Sequence, residues 1–186
     1  MKPIYFVTQN NYKFQKFQEA ISEPAFQFRQ LSIVTPEIQA ENNRLVAEHS
    51  AQWAANGQGK SVICEDVGLY IKAYGGFPGP FLSQVEKWLK TPGFLKLMEG
   101  EKDRSAYWEY AVAYCEPGKQ PASFYTIHTG NIALEARGVD GWYADKIFIP
   151  DGKTKTIAQL LDENEYRRNR DHYEKLIEYL QSNLDE

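Results

Sequence analysis

The sequence predicts an α/β fold built on a mixed sheet, and three observations support this prediction. Near the N-terminus, short apolar runs alternate with stretches in which apolar residues recur at helical spacing, the pattern of strand–helix units. Residues 105–132 read instead as two strands joined by a turn at Pro117-Gly118, which indicates an antiparallel hairpin. The last segment carries apolar residues at amphipathic spacing, which predicts a helix docked by one face.

A strand and a helix form the first predicted unit. Ile4–Val7 is a continuous apolar run, typical of a strand covered on both faces. Asn10 or Asn11 then offers a helix N-cap. The helix carries apolar residues at helical spacing until residues 22–24 interrupt the pattern, namely Phe14, Phe17 and Ile21.

Two strands with a helix between them are predicted next. Residues 26–34 read as a strand that ends at Thr35-Pro36, and residues 61–64 as another that ends in the acids Glu65-Asp66. The helix between them ends before Gly57 and has a stripe that we interpret as buried, made of Leu45, His49 and Trp53.

The rest of the chain adds a loop, further helices and the hairpin. Residues 75–80 are rich in glycine and proline and predict a loop. Helices are predicted over residues 81–89, 94–98 and from 157 to 161, and strands over 69–71, 105–115, 123–132 and 146–149. The last helix presents an apolar face of Tyr173, Leu176, Ile177, Leu180 and Leu184.

Length and charge bound the class of protein. The 186 residues fit a single domain, 1–186, or one domain with two lobes. The net charge is −4 and the basic residues are scattered, so the chain lacks the basic stripe that a nucleic-acid backbone requires. We expect no stable nucleic-acid complex.

The cysteines and the N-terminus predict a compartment. Cys64 and Cys115 lie in apolar runs and read as packed free thiols, which suits a reducing environment. The first strand is too short for a signal-peptide core or a membrane span. We therefore expect a cytoplasmic protein that does not associate with membranes.

Thr8 to Lys13 stand where a buried strand gives way to a helix N-terminus. Such a junction points backbone N–H groups and a partial positive charge past the strand end, so it attracts anions. Lys13 adds a full positive charge on the first turn. The alternative is an ordinary capped helix with a solvated lysine.

Carboxylates follow two of the predicted strands. Glu65-Asp66 end the third strand, and Glu37 follows Pro36. Adjacent carboxylates in a confined place repel each other, and a hard cation with oxygen ligands such as Mg²⁺ relieves that repulsion. In open α/β sheets ligands bind outside the carboxyl ends of strands. The alternative for the acidic pair is a solvated turn.

A third group of polar and aromatic residues runs from Asp140 to Asp145. Trp142 follows a glycine and offers a flat surface on which a base can stack, while Asp145 can order the loop or bond a ring nitrogen. A loop aromatic that only packs is the alternative.

Seven motifs in one order resemble the inosine triphosphate pyrophosphatases, a family that clears deaminated purine nucleotides such as ITP, dITP and XTP. They are Thr8-x-Asn10-x-x-Lys13, Pro36-Glu37-Ile38-Gln39, Glu65-Asp66-x-Gly68-Leu69, Gly75-Gly76-Phe77-Pro78-Gly79-Pro80, Ser105-Ala106-Tyr107, Gly141-Trp142-x-x-Asp145, and Phe148-x-Pro150-Asp151-Gly152 followed by Thr156.

The resemblance implies a fold and an activity. The fold is an elongated mixed β-sheet flanked by helices, with two lobes and a central active-site cleft, in a protein that works as a homodimer. The activity is Mg²⁺-dependent hydrolysis of non-standard purine nucleoside triphosphates to the monophosphate and pyrophosphate.

The resemblance also implies roles for residues at the matching positions. The triphosphate would be bound by Thr8, Asn10 and Lys13. The Mg²⁺ would be held by Glu37, Glu65 and Asp66. Of these residues, the catalytic ones would be Asp66, which activates the attacking water, and Lys13, which stabilises negative charge. The base would lie near Trp142 and Asp145.

The segment that reads the base departs from the family pattern. The family has a lysine and then Ser-His-Arg at the head of the last helix, where the histidine and arginine read the 6-keto oxygen. Here Asn164 stands at the lysine position and Arg168-Asn169-Arg170 replace Ser-His-Arg. His49 stands where the family has another lysine. We expect Arg168, Arg170 and His49 to contact the substrate.

Alternatives remain open for these residues and for the function. The two arginines could form a solvated helix start, and His49 could be a core histidine on the predicted buried stripe. For the function, the alternatives are a pyrophosphatase with changed base specificity and a nucleotide-binding protein without turnover.

Overall fold

The computed structural model describes residues 3–21, 25–168 and 170–184. The strands are β1 (Ile4–Val7), β2 (Phe28–Leu31), β3 (Val62–Ile71), β4 (Pro78–Gly79), β5 (Ser105–Cys115), β6 (Ala122–Ile132) and β7 (Phe148–Pro150). The helices are α1 (Asn11–Ala20), α2 (Asn43–Gln58), α3 (Leu82–Leu97), α4 (Ile157–Asp162) and α5 (Asp171–Leu184). The predicted interruption at residues 22–24 lies outside the described residues.

The seven strands form one mixed sheet. Their order is β2-β1-β3-β5-β6-β7, with β4 paired to β3. β1 runs parallel to β2 and to β3, whereas β3–β4 and β6–β7 are antiparallel pairs. β5 and β6 are neighbours joined by residues 116–121, too short a connection for the crossover that parallel strands need. The predicted mixed sheet and hairpin are confirmed.

The chain divides into two compact units. Unit 1 comprises Met1–Asp66, Tyr110–Thr126 and Arg170–Glu186, and unit 2 comprises Val67–Glu109 and Ile127–Asn169.

Helices cover the strands of unit 1 with two different kinds of surface. On one face, the α1 residue Phe17 and the α5 residue Leu176 pack in one cluster with strand residues. The strand residues include Phe6, Ile63 and Val112. On the other face, α2 presents the alanines Ala47, Ala51, Ala54 and Ala55 to a cluster that contains both cysteines. Small side chains let a helix approach a sheet closely, so the alanine face is the one that docks.

The predicted buried stripe of α2 is therefore wrong. Leu45 and Trp53 are 39% and 44% exposed, and His49 is only partly buried. The buried face lies one residue further along and consists of Val46, Ala47, Ser50, Ala51, Ala54 and Ala55. The large side chains of Leu45 and Trp53 lie on the exposed side of α2, and small alanines form most of its buried face.

One predicted strand boundary differs from the structure, and one predicted helix break agrees with it. β3 does not end before Glu65-Asp66 but continues through them to Ile71, since its second half pairs with β4. The two helices predicted at 81–89 and 94–98 are confirmed as two stretches of α3, because the non-helical backbone of Lys90 (φ 50°) divides α3 shortly before Pro92. A proline inside a helix removes a backbone donor and crowds the preceding turn, which accounts for the break.

Arg104 fastens the segment before β5 in unit 2. Its guanidinium donates to three backbone carbonyls, those of Ile132 at 2.6 Å, Met98 at 2.8 Å and Ala133 at 2.7 Å. One rigid donor group therefore ties three backbone carbonyls together.

Candidate active site

The junction between β1 and α1 in unit 1 has the predicted capping geometry. The side-chain oxygen of Asn10 accepts a hydrogen bond from the N–H of Lys13 at 3.1 Å. The hydroxyl of Thr8 accepts one from the N–H of Asn10, also at 3.1 Å. This arrangement fixes the helix start directly after a buried strand, where backbone N–H groups and the helix dipole favour an anion.

Lys13 reaches from α1 to β3. Its Nζ lies 3.0 Å from the backbone oxygen of Glu65 and 3.0 Å from Oε2 of the same residue. The register explains this contact: Phe6 pairs with Ile63, so Glu65 lies beside the segment that follows the end of β1. The structure thus brings together Lys13 and Glu65, which the sequence placed in separate groups.

Glu65 is the centre of a buried polar cluster in unit 1. The hydroxyl of Tyr173 donates to its Oε1 at 2.7 Å, and Nε2 of His172 lies 3.6 Å from the same oxygen. Burial opposes ionisation of Glu65, but the charge of Lys13, reinforced by His172 and Tyr173, outweighs it and lowers the pKa to about 2. Glu65 is therefore a carboxylate at every physiological pH.

Asp66 has different neighbours, because successive side chains of a strand point to opposite faces of the sheet. Its Oδ2 accepts a hydrogen bond from Nδ2 of Asn43 at 2.7 Å. Asn43 is fully buried and is the first residue of α2, so the carboxylate lies close to a helix N-terminus, which stabilises negative charge. The side chains of Glu65 and Asp66 therefore point in different directions, and Lys13 offsets the charge of Glu65. Both effects relieve the predicted repulsion between the adjacent carboxylates.

The three predicted metal ligands do not form a preassembled cage. Across the described parts of the chain, no group of three or more His, Cys, Asp or Glu residues is arranged to hold a metal ion. Glu37 is exposed on the segment after β2. This donor set nevertheless fits Mg²⁺ carried by a triphosphate, since that ion commonly takes only one or two protein carboxylates and completes its shell with phosphates and water.

His49 is placed on α2 in unit 1 but not in its buried stripe. Its Nδ1 is buried and has no hydrogen-bond partner within the part of the chain that the structure describes. His49 as a whole is not among the buried residues of α2.

A second cluster lies in unit 2 and is centred on Asp145. This residue is fully buried, and its Oδ2 accepts hydrogen bonds from the backbone N–H of Trp142 at 2.7 Å and from Nη2 of Arg168 at 2.6 Å. Gly141 makes room for the contact: it has φ +85°, and a Cβ there would lie 2.5 Å from Asp145 Oδ2. The predicted loop-ordering role of Asp145 is what the structure shows.

Arg168 lies against aromatic rings in this cluster. Its guanidinium carbon is 4.8 Å from the ring centroid of Trp142 and 5.9 Å from that of Trp108. Trp108 is fully buried, whereas Trp142 is 43% exposed. A cation over an aromatic face is attracted by the ring quadrupole, so the arginine is not a freely solvated side chain and the solvated helix start is excluded for it.

Glu86 of α3 supports the same loop. Its carboxylate accepts a hydrogen bond from the N–H of Ala144 at 3.0 Å. Burial raises the pKa of Glu86, and the charge of Asp145 adds to the effect while Arg168 opposes it.

Arg170 binds the backbone of α1. Its Nη1 donates to the backbone oxygen of Lys16 at 2.6 Å, so the only residue retained from the family's Ser-His-Arg segment binds an α1 carbonyl in unit 1. Asn164 is exposed with φ +57°, and Asn169 lies outside the described residues.

Sequence reasoning missed several neighbours of the predicted residues. Tyr173 was assigned to the apolar face of the last helix, and His172, Asn43, Glu86 and Trp108 were not singled out. Each of them partners a residue at least 23 positions away, so no short motif contains both. One local signal existed: two consecutive asparagines, Asn42 and Asn43, mark the start of α2.

Most of the chain is similar to known proteins. The model of the Ham1 family matches residues 4–178. A dITP/XTP pyrophosphatase of Methanosarcina mazei is 40% identical over 163 residues, covering 88% of each chain. Another from Methanopyrus kandleri is 37% identical over 157 residues, covering 84% of each chain.

Solved structures show the same fold. A HAM1 protein from Coxiella burnetii superimposes with a TM-score of 0.79 at 26% identity, covering 89% of this chain and 90% of its own. The Staphylococcus aureus Ham1 protein gives a TM-score of 0.79 at 23% identity, covering 99% and 98%. These likenesses confirm the predicted sheet flanked by helices.

Proposed function

Since the chain belongs to the Ham1 family, whose model and relatives confirm the resemblance noted in the motifs, we propose that it hydrolyses non-standard purine nucleoside triphosphates. The products are the nucleoside monophosphate and pyrophosphate. Relatives at 36–40% identity named dITP/XTP pyrophosphatases support the substrate class. The observation that carries the proposal is the contact of Lys13 with Glu65 beside Asp66, at the capped start of α1.

The phosphates bind at the start of α1. Thr8 and Asn10 hold the turn, the first N–H groups of the helix point at the anion, and Lys13 supplies a full positive charge. Because Lys13 is fixed by Glu65 at 3.0 Å, its charge is oriented before the substrate arrives, and preorganised charge is what lowers a barrier.

Mg²⁺ would be held by Glu37, Glu65 and Asp66, of which Glu65 is paired with Lys13 at 3.0 Å. The ion, when bound, neutralises charge on the phosphate oxygens. In unit 1 the fit rests on the carboxylate of Asp66, whose neighbour Asn43 fixes one oxygen.

Asp66 acts on the attacking water. Water forms the new bond to the α-phosphorus, its proton passes to the Asp66 carboxylate, and the bond to pyrophosphate breaks with the electron pair leaving on the pyrophosphate oxygen. Lys13 stabilises the negative charge that develops on the phosphate oxygens. Losing a positioned base or a fixed charge costs on the order of 100-fold or more in rate.

Trp142 is a proposed contact of the base. The exposed part of Trp142 offers a stacking surface. His49, in unit 1, and Arg170 remain proposed substrate contacts, and Arg170 would have to make its contact with donors other than the one that binds Lys16.

The compartment, the oligomeric state and the range of partners are also proposed. We propose that it works in the cytoplasm, since both cysteines are buried free thiols, that it acts as a homodimer and that it forms no stable nucleic-acid complex. Within the described residues no helix is long and apolar enough to cross a membrane. Both units belong to one functional domain, because each is built from separate stretches of chain and neither could be excised as one segment.

A nucleotide-binding protein without turnover is the second candidate. The observation that favours it is the changed base-reading segment, in which Asn164 stands where the family has lysine and Arg168 where it has serine. Tight nucleotide binding without release of pyrophosphate would establish it.

The proposal is tested with a panel of purine and pyrimidine triphosphates in Mg²⁺. We expect pyrophosphate release, greatest with a 6-keto purine, and its loss on chelation. Asp66→Asn should abolish turnover with an intact fold, whereas the control Asp151→Asn, in an exposed turn, should not. No release from any triphosphate would refute the proposed activity.

A further inference from the structure

Unit 2 contains an arginine that the structure holds rigidly. The Arg168 side chain is 20% exposed, and its Nη2 is paired at 2.6 Å with an aspartate that has no exposed surface. Its guanidinium also lies over two tryptophan rings. Charge-assisted pairing with a buried carboxylate and contact with aromatic faces fix both the position and the plane of the group.

We propose that Arg168 is the residue that selects the base, favouring purines with a 6-keto group over those with a 6-amino group, and that Asp145 positions it. The inference depends on the proposed function, which supplies a purine nucleotide as the ligand. It assigns the selection to a residue that stands where the family pattern has serine.

The chemistry of the guanidinium carries the preference. It has only donors, and the purine edge of a 6-keto base presents two acceptors, O6 and N7, which an arginine binds with two parallel hydrogen bonds. A 6-amino purine presents a donor in place of O6, so one guanidinium N–H would face another donor. A site built around such a donor rejects the wrong base because a buried polar group is left unpaired.

Asp145 acts through Arg168 and not on the base. It is fully buried, and the same oxygen that binds Arg168 also binds the Trp142 amide. One carboxylate therefore fixes both the arginine and the backbone of the stacking tryptophan. A carboxylate in this place is a positioning residue.

Arg170 is a poorer candidate for the same role. One of its nitrogens is already bound to the carbonyl of Lys16. The arginine that contacts the exposed tryptophan is Arg168.

The test compares kcat/KM for ITP and ATP. We expect the wild type to prefer ITP and Arg168→Gln to reduce the ITP/ATP ratio by roughly 10-fold or more. Arg168→Lys retains the charge beside Asp145 but loses the two-pronged donor geometry, so it should keep the thermal stability and still lose the ratio. The control Arg167→Gln removes the same charge from an exposed neighbour and should leave the ratio unchanged.

The positioning role of Asp145 is tested by coupling. Asp145→Asn alone should lower the ITP/ATP ratio of kcat/KM. In the Arg168→Gln background it should lower the ratio no further, because both changes remove the positioned guanidinium of Arg168. A structural role alone would make the two effects independent. Oδ1 of Asp145 has no hydrogen-bond partner among the described residues, so the asparagine amide can take that side without displacing a donor.

Binding of the products separates this inference from the proposed activity. Affinities for IMP and AMP, followed by tryptophan fluorescence, report base selection whether or not the protein turns over. If no triphosphate yields pyrophosphate but IMP still binds more tightly than AMP in an Arg168-dependent manner, the activity is wrong and the base selection is right. An IMP/AMP or ITP/ATP ratio that is the same in wild type, Arg168→Gln and Arg168→Lys would overturn the inference.

Discussion

Replacing Lys13 by methionine separates its structural role from its chemical role. The substitution keeps the length of the side chain but removes the charge that lies 3.0 Å from Glu65 Oε2. At an effective dielectric constant of about 20, two unit charges at that separation attract each other by about 5 kcal/mol. Breaking a buried pair typically costs about 3 to 5 kcal/mol, because the remaining charge stays desolvated.

The exposure of the pair decides where in that range the value falls. The side chain of Lys13 is 31% exposed and that of Glu65 is 7% exposed, and Tyr173 continues to donate to Glu65. We therefore expect Lys13→Met to lower the free energy of unfolding by about 3 kcal/mol, which for a chain of this length lowers Tm by about 6 to 12 °C.

The double variant Lys13→Met/Glu65→Gln provides the assay. Removing the charge of Glu65 as well should restore most of the lost stability, measured by chemical denaturation, because no unpaired charge remains buried. It should not restore pyrophosphate release, since the phosphates still lack their cation. Recovery of activity together with stability would refute the assignment of Lys13 to the phosphates.

The pH dependence of the same difference has a defined sign. The pKa of Glu65 is lowered from its ordinary value of 4.5 to about 2, so the folded state holds the proton less tightly than the unfolded state does. The stability that the pair contributes is therefore complete above pH 4.5 and is lost as the pH falls toward 2. The gap in stability between wild type and Lys13→Met should shrink over that window, and a constant gap would contradict the pairing.

The remaining predictions concern other contacts. Tyr173→Phe removes the hydroxyl that donates to Glu65 at 2.7 Å, and we expect a loss of about 1.5 to 3 kcal/mol in the free energy of unfolding, measured with urea. Arg104→Lys should lower the free energy of unfolding by about 2 kcal/mol, because an ammonium group cannot reproduce three planar contacts to carbonyls. An unchanged unfolding midpoint would show that these three hydrogen bonds do not stabilise the fold. Burial raises the pKa of the Cys64 thiol to about 12 and also raises that of Cys115, so neither should react with a thiol reagent at pH 8 until the chain is unfolded.

The parts of the fold that depend on neighbouring residues could be predicted from the sequence. Asn10 caps α1 because a cap needs only a side-chain oxygen within one turn of the first N–H groups. The hairpin of β5 and β6 could be predicted in the same way. Small and large residues alternate along 105–115, residues 123–132 are rich in β-forming types, and the turn residues Pro117-Gly118 lie between them.

Features set by distant parts of the chain could not be predicted. The sequence shows that Glu65 and Asp66 are adjacent, but only the strand that contains them shows that their side chains diverge, one toward Lys13 and the other toward Asn43. Likewise the face of α2 that packs on the sheet carries small alanines, which let the helix approach closely, and not the largest apolar residues of the helix. Arg170 bonds a carbonyl 154 positions away, a distance over which no spacing rule operates.

The direct measurement of the central claim is hydrolysis of ITP in water enriched in oxygen-18, with the label located by mass spectrometry. Attack at the α-phosphorus, activated by Asp66, predicts that all of the label enters inosine monophosphate and none enters pyrophosphate. Label in pyrophosphate, or release of inorganic phosphate with a nucleoside diphosphate, would contradict the account.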